Sequence, residues 1–144
     1  PQNPPAKIGK GALVQSSIIG EGTVIQGEVI HSVVFPGVVV EKGVKIYDSI
    51  IFNDSIIKAD SFIERSILDK NVIVGEGSII GIGDDYTPNR LRPDILSWGV
   101  NLVGKNSQIP PHSIIPRNCL IGINVPTSGF GKTTELKSGS VIMG

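Results

Sequence analysis

Histidine and cysteine, the side chains most suited to proton transfer and nucleophilic attack near neutral pH, are scarce in this sequence. His31 and His112 are the two histidines, and Cys119 is the single cysteine. A histidine can serve as the general base of an acyl transfer, and a thiolate can serve as a nucleophile. His112, however, follows two prolines at a predicted turn, and histidine is enriched where φ is positive. Because no activating base adjoins Cys119 in the sequence, a core position is favoured for it.

Four basic residues are candidates for regulatory contacts with a small anion. They are Arg90, Arg92, Lys105 and Arg117. Lys105 and Arg117 are predicted on solvent-exposed corners, and because they are twelve residues apart, two units of the repeat described below, they occupy different faces unless the 83–99 insertion brings them together. Ordinary solvated surface charges are the simpler interpretation of this set.

Two further patterns fall short of a known site. The string 129–134, GFGKTT, resembles a phosphate-binding loop, but that motif requires a glycine where this chain has Pro126, and no helix is predicted after it. A flexible tail is the favoured interpretation. Two histidines and one cysteine spaced this widely do not supply a zinc site. The sequence therefore predicts no metal and no cofactor bound by this chain.

The composition restricts the fold and the partners. The chain of 144 residues has 13 basic and 13 acidic residues, so it lacks the cationic surplus of a nucleic-acid binder. It contains 23 Ile and 15 Val against 7 Leu and 3 Ala, with 18 Gly and 10 Pro, which favours short strands and turns over helices. No apolar run is long enough to cross a membrane. A single cysteine fits a reducing, cytoplasmic compartment.

A six-residue repeat organises most of the chain. Aliphatic anchors recur mostly every six residues, and a residue that tolerates positive φ follows each anchor by three positions, as Gly22, Gly77 and Asn106 do. A small or β-branched residue comes next. The anchors are residues 8, 14, 19, 25, 34, 40, 46, 51, 57, 63, 68, 74, 80, 103, 109, 115 and 121, with a weaker one at Ile30.

This hexapeptide pattern predicts an all-β chain folded as a parallel β-helix of about six triangular coils. The left-handed form is inferred from its resemblance to known hexapeptide proteins. Residues 8–125 are predicted to form the β-helix, and residues 1–7 a linker from a missing N-terminal catalytic domain. The absence of an initiator Met supports a fragment or a processed chain.

Two segments interrupt the repeat. Residues 83–99 are predicted to form a long loop, whose Trp98 and Tyr86 are types enriched at protein contacts. Residues 126–144 are predicted to be a tail whose end, residues 140–142, forms a capping strand. The outward aliphatic residues Val33, Ile50 and Ile67 are predicted to line a face between subunits.

The chain resembles the C-terminal domain of the glucose-1-phosphate adenylyltransferase (ADP-glucose pyrophosphorylase) family. The resemblance covers roughly residues 4–80 and is most specific at residues 31–38, HSVVFPGV. The other segments that carry it are 4–7 (PPAK), 17–22 (SIIGEG), 48–51 (DSII) and 65–71 (RSILDKN).

This resemblance implies a non-catalytic oligomerisation and regulatory module. In the family, the chemistry lies in an N-terminal domain that binds ATP and Mg²⁺ and transfers adenylyl to glucose 1-phosphate for glycogen synthesis. The partners it implies are that N-terminal domain, further copies of the chain and a small anionic metabolite effector.

Three alternatives remain open from the sequence. The chain resembles, less specifically, the C-terminal domains of other sugar-phosphate nucleotidyltransferases. It also shares its repeat with acyl-CoA-dependent hexapeptide acyltransferases, in which His31 or His112 would be the base. A stand-alone structural scaffold is the third.

Overall fold

Short parallel strands account for nearly all the regular structure of this computed structural model, which describes residues 4–144. The strands hydrogen-bond in three sheets that form the faces of a triangular prism. The first face contains β1 (Lys7–Ile8), β4 (Val24–Ile25), β7 (Val39–Val40), β10 (Ile56–Ile57), β13 (Ile73–Val74) and β16 (Gln108–Ile109). The second contains β2 (Leu13–Gln15), β5 (Glu28–Ile30), β8 (Lys45–Tyr47), β11 (Phe62–Glu64), β14 (Ile79–Ile80) and β17 (Ile114–Ile115). The third contains β3 (Ile18–Ile19), β6 (Val33–Val34), β9 (Ile50–Ile51), β12 (Ser66–Leu68), β15 (Asn101–Val103), β18 (Leu120–Ile121) and β19 (Val141–Ile142).

This order confirms the predicted all-β solenoid. Each strand pairs with strands three places before and after it in the chain, so the backbone visits the faces in rotation. Within the described residues, this gives six coils of three strands, and β19 adds a seventh strand to the third face. The arrangement is consistent with the left-handed form. The predicted final strand is present as β19.

The interior follows the hexad. Large side chains of the middle coils, such as Ile57, Ile63 and Leu68, are 0% exposed. The corners are turned by residues with positive φ, including Asn106 at 62° and His112 at 59°. Fully burying an aliphatic side chain contributes roughly 1.5–3 kcal/mol, so the stacked anchors supply the main stabilisation of the prism.

One predicted anchor is wrong. Val29, not Ile30, points inward: Val29 is 0% exposed and pairs with Val14 and Ile46 of the neighbouring strands. Ile30 pairs with Gln15 and Tyr47 in the outward column. The reason is that successive residues of a strand face opposite sides, so the shortened second coil shifts the anchor by one position.

The segment after residue 125 is more ordered than the predicted flexible tail. It begins with a 3₁₀ turn, Thr127–Phe130, and then Glu135 forms a parallel bridge to Ile114 of the second face. Phe130 and Leu136 are buried and join the core cluster. This segment therefore closes the C-terminal end of the core.

Candidate functional site

The outer surface of the third face carries an unbroken line of aliphatic side chains. Each strand of that face presents one such residue at its central outward position, and the parallel register aligns them. We call this line the aliphatic ladder; its members are Ile18, Val33, Ile50, Ile67, Leu102, Leu120 and Val141. The predicted contact residues of this face are thus three members of a longer series.

The other two faces lack such a line. The equivalent positions of the first face begin with Lys7 and end with Gln108, with four aliphatic residues between them. Those of the second face include Glu28 and Lys45 in adjacent strands. A contiguous apolar strip on one side of a domain is typical of surfaces that contact another protein.

A hollow of about 380 Å³ lies on the third face, toward its edge with the first face. Its floor is formed by Ile67, Leu102 and Leu120, and the ring of Phe52 forms one wall. Phe52 stacks on Phe35 with 4.5 Å between ring centroids. The column that holds these two rings continues as Asp69 and then as Gly104 and Gly122, and the two glycines leave the space of the hollow open because they have no side chains.

The N-terminal end of the prism is open. Ile8 occupies an inward anchor position but is 49% exposed, and Val14 and Ile19 of the same coil are also partly exposed. By contrast, the corresponding anchors of the next coils are essentially 0–1% exposed. This end therefore presents bare core together with the edge strands of all three sheets, a combination that proteins normally cover.

His31 and Asp48 form the one polar pair beside the N-terminal half of the ladder in the described residues. His31 Nδ1 and Asp48 Oδ1 lie 2.6 Å apart, and the two side chains are 77% and 49% exposed. They flank a depression of about 370 Å³ whose other walls include Ile18, Val33 and Ile50. The hydrogen bond orients the imidazole, but both side chains remain open to water, so this pair does not form a closed pocket.

His112 lies on a different corner from His31, between the first and second faces. Its φ of 59° confirms the predicted corner role, and its ring lies against Gly77 of the preceding coil. The φ of His31 is also positive, at 52°. The fold therefore uses both histidines at corners and does not bring them together.

The prediction that Arg117 occupies a solvent-exposed corner is wrong. Arg117 is 7% exposed, its Nη2 lies 2.7 Å from Glu64 Oε1, and its Nε donates to the carbonyl of Gly83 at 3.0 Å. The ring of Tyr86 covers the guanidinium with 5.5 Å between the ring centroid and Cζ. The loop after β14 covers this residue, and Glu64 of β11 neutralises its charge. The hydrogen bond from Arg117 to Gly83 holds the loop against the prism.

The other three candidate anion contacts, Arg90, Arg92 and Lys105, lie on the surface and do not share a pocket. Arg92 forms a two-point ion pair with Asp94, at 3.0 Å and 2.9 Å, which raises the pKa of Arg92 and lowers that of Asp94. Arg90 Nη2 donates to the carbonyl of Val141 at 3.4 Å. Lys105 lies on the corner between the third and first faces, whereas Arg117 lies on the corner between the second and third.

Cys119 lies inside the core. It is 0% exposed, and its Sγ lies 3.4 Å from the carbonyl of Lys137. Burial raises the pKa of the Cys119 thiol. The predicted core role is therefore confirmed.

The long loop is held by two buried asparagines, Asn89 and Asn118. Asn89 Nδ2 donates to the carbonyl of Asn118 at 2.9 Å, and its Oδ1 accepts from the backbone of Leu91 and Arg92. Asn118 Oδ1 accepts from Gly99 N at 2.8 Å. The sequence predicts Asn118 only as a corner residue, and no sequence pattern indicates that Asn89 holds the loop.

Residues 4–144 contain neither a membrane-spanning helix nor a cluster of metal-binding side chains. No helix there has the length and apolar character needed to cross a membrane. No three His, Cys, Asp or Glu side chains gather closely enough in the same range to hold a metal ion.

A prism of hexapeptide coils with an apolar face and an open end defines a hexapeptide-repeat β-helix domain. The chain belongs to the GlmU-like, C-terminal hexapeptide family, whose sequence model matches residues 4–103.

Curated relatives place it more narrowly. The chain is 50% identical over 140 residues, 97% of its length, to a glucose-1-phosphate adenylyltransferase of Thermotoga neapolitana. It is 49% identical over its whole length to that of Ruminiclostridium cellulolyticum. It spans 33% and 34% of those proteins, about a third, and matches their C-terminal part. The resemblance found in the sequence is therefore confirmed.

A solved structure from Desulfovibrio desulfuricans G20, described as a candidate acetyltransferase, shares the fold. Its TM-score is 0.56 at 14% identity, over 88% of this chain and 25% of that one. At this identity, the likeness concerns the fold alone.

Proposed function

We propose that this chain is the C-terminal oligomerisation and regulatory domain of a glucose-1-phosphate adenylyltransferase. The observation that carries the proposal is the identity of about 50% across nearly the whole chain to one third of such enzymes. The complete protein would convert ATP and glucose 1-phosphate to ADP-glucose and pyrophosphate, for glycogen synthesis. A cytoplasmic location goes with that role.

Catalysis is assigned to the part of the complete protein that precedes this chain. The histidines lie on separate corners, and the single cysteine is buried with a raised thiol pKa. These features support a structural role for each. ATP and Mg²⁺ would bind in the N-terminal two-thirds of the protein.

The open first coil supports contact with that N-terminal part. Half-exposed Ile8 and its neighbours are inward residues without a covering layer in the described chain. The polypeptide that enters the first coil is the nearest source of such a layer, because its attachment keeps its local concentration high. The aliphatic ladder supports association between subunits.

A small anionic metabolite is the proposed effector. Arg90 and Lys105 are the surface cations assigned to it, because Arg92 is already paired with Asp94 and Arg117 with Glu64. Replacing Arg90 and Lys105 by glutamine would weaken activation or inhibition by such an anion without changing the basal rate.

The decisive experiment uses the complete protein. ADP-glucose formation is measured with ATP, glucose 1-phosphate and Mg²⁺, both for the complete protein and for a variant that ends before Pro4 and so lacks this domain. The complete protein should be active and oligomeric, and truncation should lower both its oligomeric order and its response to anions. A complete protein that makes no ADP-glucose, or that uses another nucleotide instead of ATP, would refute the assignment.

A further inference from the structure

Trp98 is the only tryptophan of the chain, and at 81% it is the most exposed of the large apolar side chains in the described residues. It belongs to the segment between β14 and β15, which also exposes Leu91 at 57% and Ile95 at 50%. Large apolar side chains that stand this far into water are enriched at protein contacts, and tryptophan is the type that most often dominates their energy.

The segment that carries Trp98 is fixed in place. Gly99 N donates to Asn118 Oδ1 at 2.8 Å, directly after Trp98, and Asn118 Nδ2 donates to the carbonyls of Tyr86 and Thr87. Leu96, two residues before Trp98, is 2% exposed. An exposed side chain on an ordered backbone loses little conformational freedom on binding, which favours association.

The hollow on the third face is a matching receptor for an indole. Its volume of about 380 Å³ and its floor of Ile67, Leu102 and Leu120 suit a large flat apolar group. Lys70 lies over the Phe52 ring, with Nζ 5.6 Å from its centroid, so a cation stands at the rim. Cations and indole faces attract one another.

Trp98 and the hollow lie at the same height of the prism but on opposite edges of the third face. Trp98 precedes β15 at the corner between the second and third faces, where Asn118 turns the chain. The hollow includes Leu102 of β15 itself and opens toward the corner with the first face. A two-fold axis parallel to the prism and lying in front of this face exchanges the edges and keeps the height. It therefore places each Trp98 opposite the hollow of a second copy.

We propose that two copies of this chain associate through their third faces, with Trp98 of each copy inserted into the hollow of the other. This deepens the proposed oligomerisation role, and rests on it, by naming the contact. The ladder spans six strand spacings, about 29 Å, and a face about 16 Å wide has a plan area of about 450 Å² per copy. With the one Trp98 of each copy added, which buries about 150–250 Å², the area per copy reaches the low end of specific interfaces, about 600 Å² per partner.

The test combines sedimentation equilibrium with fluorescence of the 144-residue chain. Because Trp98 is the sole tryptophan, its emission reports this contact directly. A dilution series should show a monomer–dimer equilibrium, with emission moving to shorter wavelength as dimer forms. Trp98→Ala should weaken dimerisation by roughly thirty-fold or more. Ile114→Ala on the second face is the matched control and should leave it unchanged.

Disulfide trapping tests the geometry. Trp98→Cys and Leu120→Cys chains, mixed and mildly oxidised, should form a covalent heterodimer, because the native Cys119 is buried and stays unreactive. Trp98→Cys mixed with Ile114→Cys should not. Equal melting temperatures of variants and parent exclude misfolding as the cause of any loss.

Three results would overturn the proposal. They are a monomer at all concentrations, a dimer whose Trp98 emission does not move, and a Trp98→Ala dimer as tight as the parent. The last two leave oligomerisation through other surfaces intact. Failure of the complete protein to make ADP-glucose is a separate result that concerns the assigned enzyme, so the two failures are distinguishable.

Discussion

Replacing one of two adjacent isoleucines tests the inward assignment of the hexad. Ile57 and Ile56 are neighbours in β10, but Ile57 points into the core at 0% exposure, whereas Ile56 points outward and is partly exposed. Ile57→Ala removes buried carbons between Val40 and Val74 and leaves a cavity that the stacked coils cannot close. Such changes cost about 2–5 kcal/mol, against a total stability of about 5–15 kcal/mol.

The assay is urea unfolding followed by far-UV circular dichroism. With a slope of about 2 kcal/mol per molar urea, a loss of about 3.5 kcal/mol moves the midpoint down by about 1.7 M. Ile56→Ala is the matched control and should lose less than about 1 kcal/mol. Ile57→Asp should unfold the middle coils altogether. Equal midpoints for the two alanine variants would refute the assignment of inward and outward positions.

Two further predictions concern buried polar groups. Glu64→Gln leaves the buried guanidinium of Arg117 without its anion and should lower the free energy of unfolding by about 1–3 kcal/mol, seen as a melting point several degrees lower. The exposed Glu76→Gln is its control, and equal losses for both would contradict the role of the pair. Because burial raises its pKa, the Cys119 thiol should react slowly with a disulfide reagent at pH 8 and rapidly in urea. A fast reaction in the folded chain would place the thiol at the surface.

The repeat and the corners were predictable from the sequence because each position has a local physical requirement. Corners need a residue that tolerates positive φ, so residue types such as Gly77, Asn106 and His112 indicate where the corners are. Inward positions need an aliphatic side chain. The error at Val29 and Ile30 arose where two adjacent aliphatic residues both met that requirement and only the partner strands select between them.

Long-range contacts were beyond the sequence. Arg117 looked like a corner cation, and its burial depends on Glu64 and Tyr86, which are 53 and 31 positions earlier in the chain. The apolar residues of the tail follow no period, which favours a flexible segment, whereas in the structure Phe130 and Leu136 pack against the C-terminal end of the core. Three members of the aliphatic ladder, Val33, Ile50 and Ile67, can be predicted from the sequence, whereas Leu102, Leu120 and Val141 join them only through strand pairing across the 83–99 loop.

The most direct test of the proposed function is the rate of ADP-glucose formation by the complete protein, with and without this domain. The account predicts that ATP, glucose 1-phosphate and Mg²⁺ give ADP-glucose and pyrophosphate, and that loss of residues 4–144 removes subunit association and the response to anionic metabolites. Absence of ADP-glucose with the complete protein, or an oligomer and anion response that survive the truncation, would contradict it.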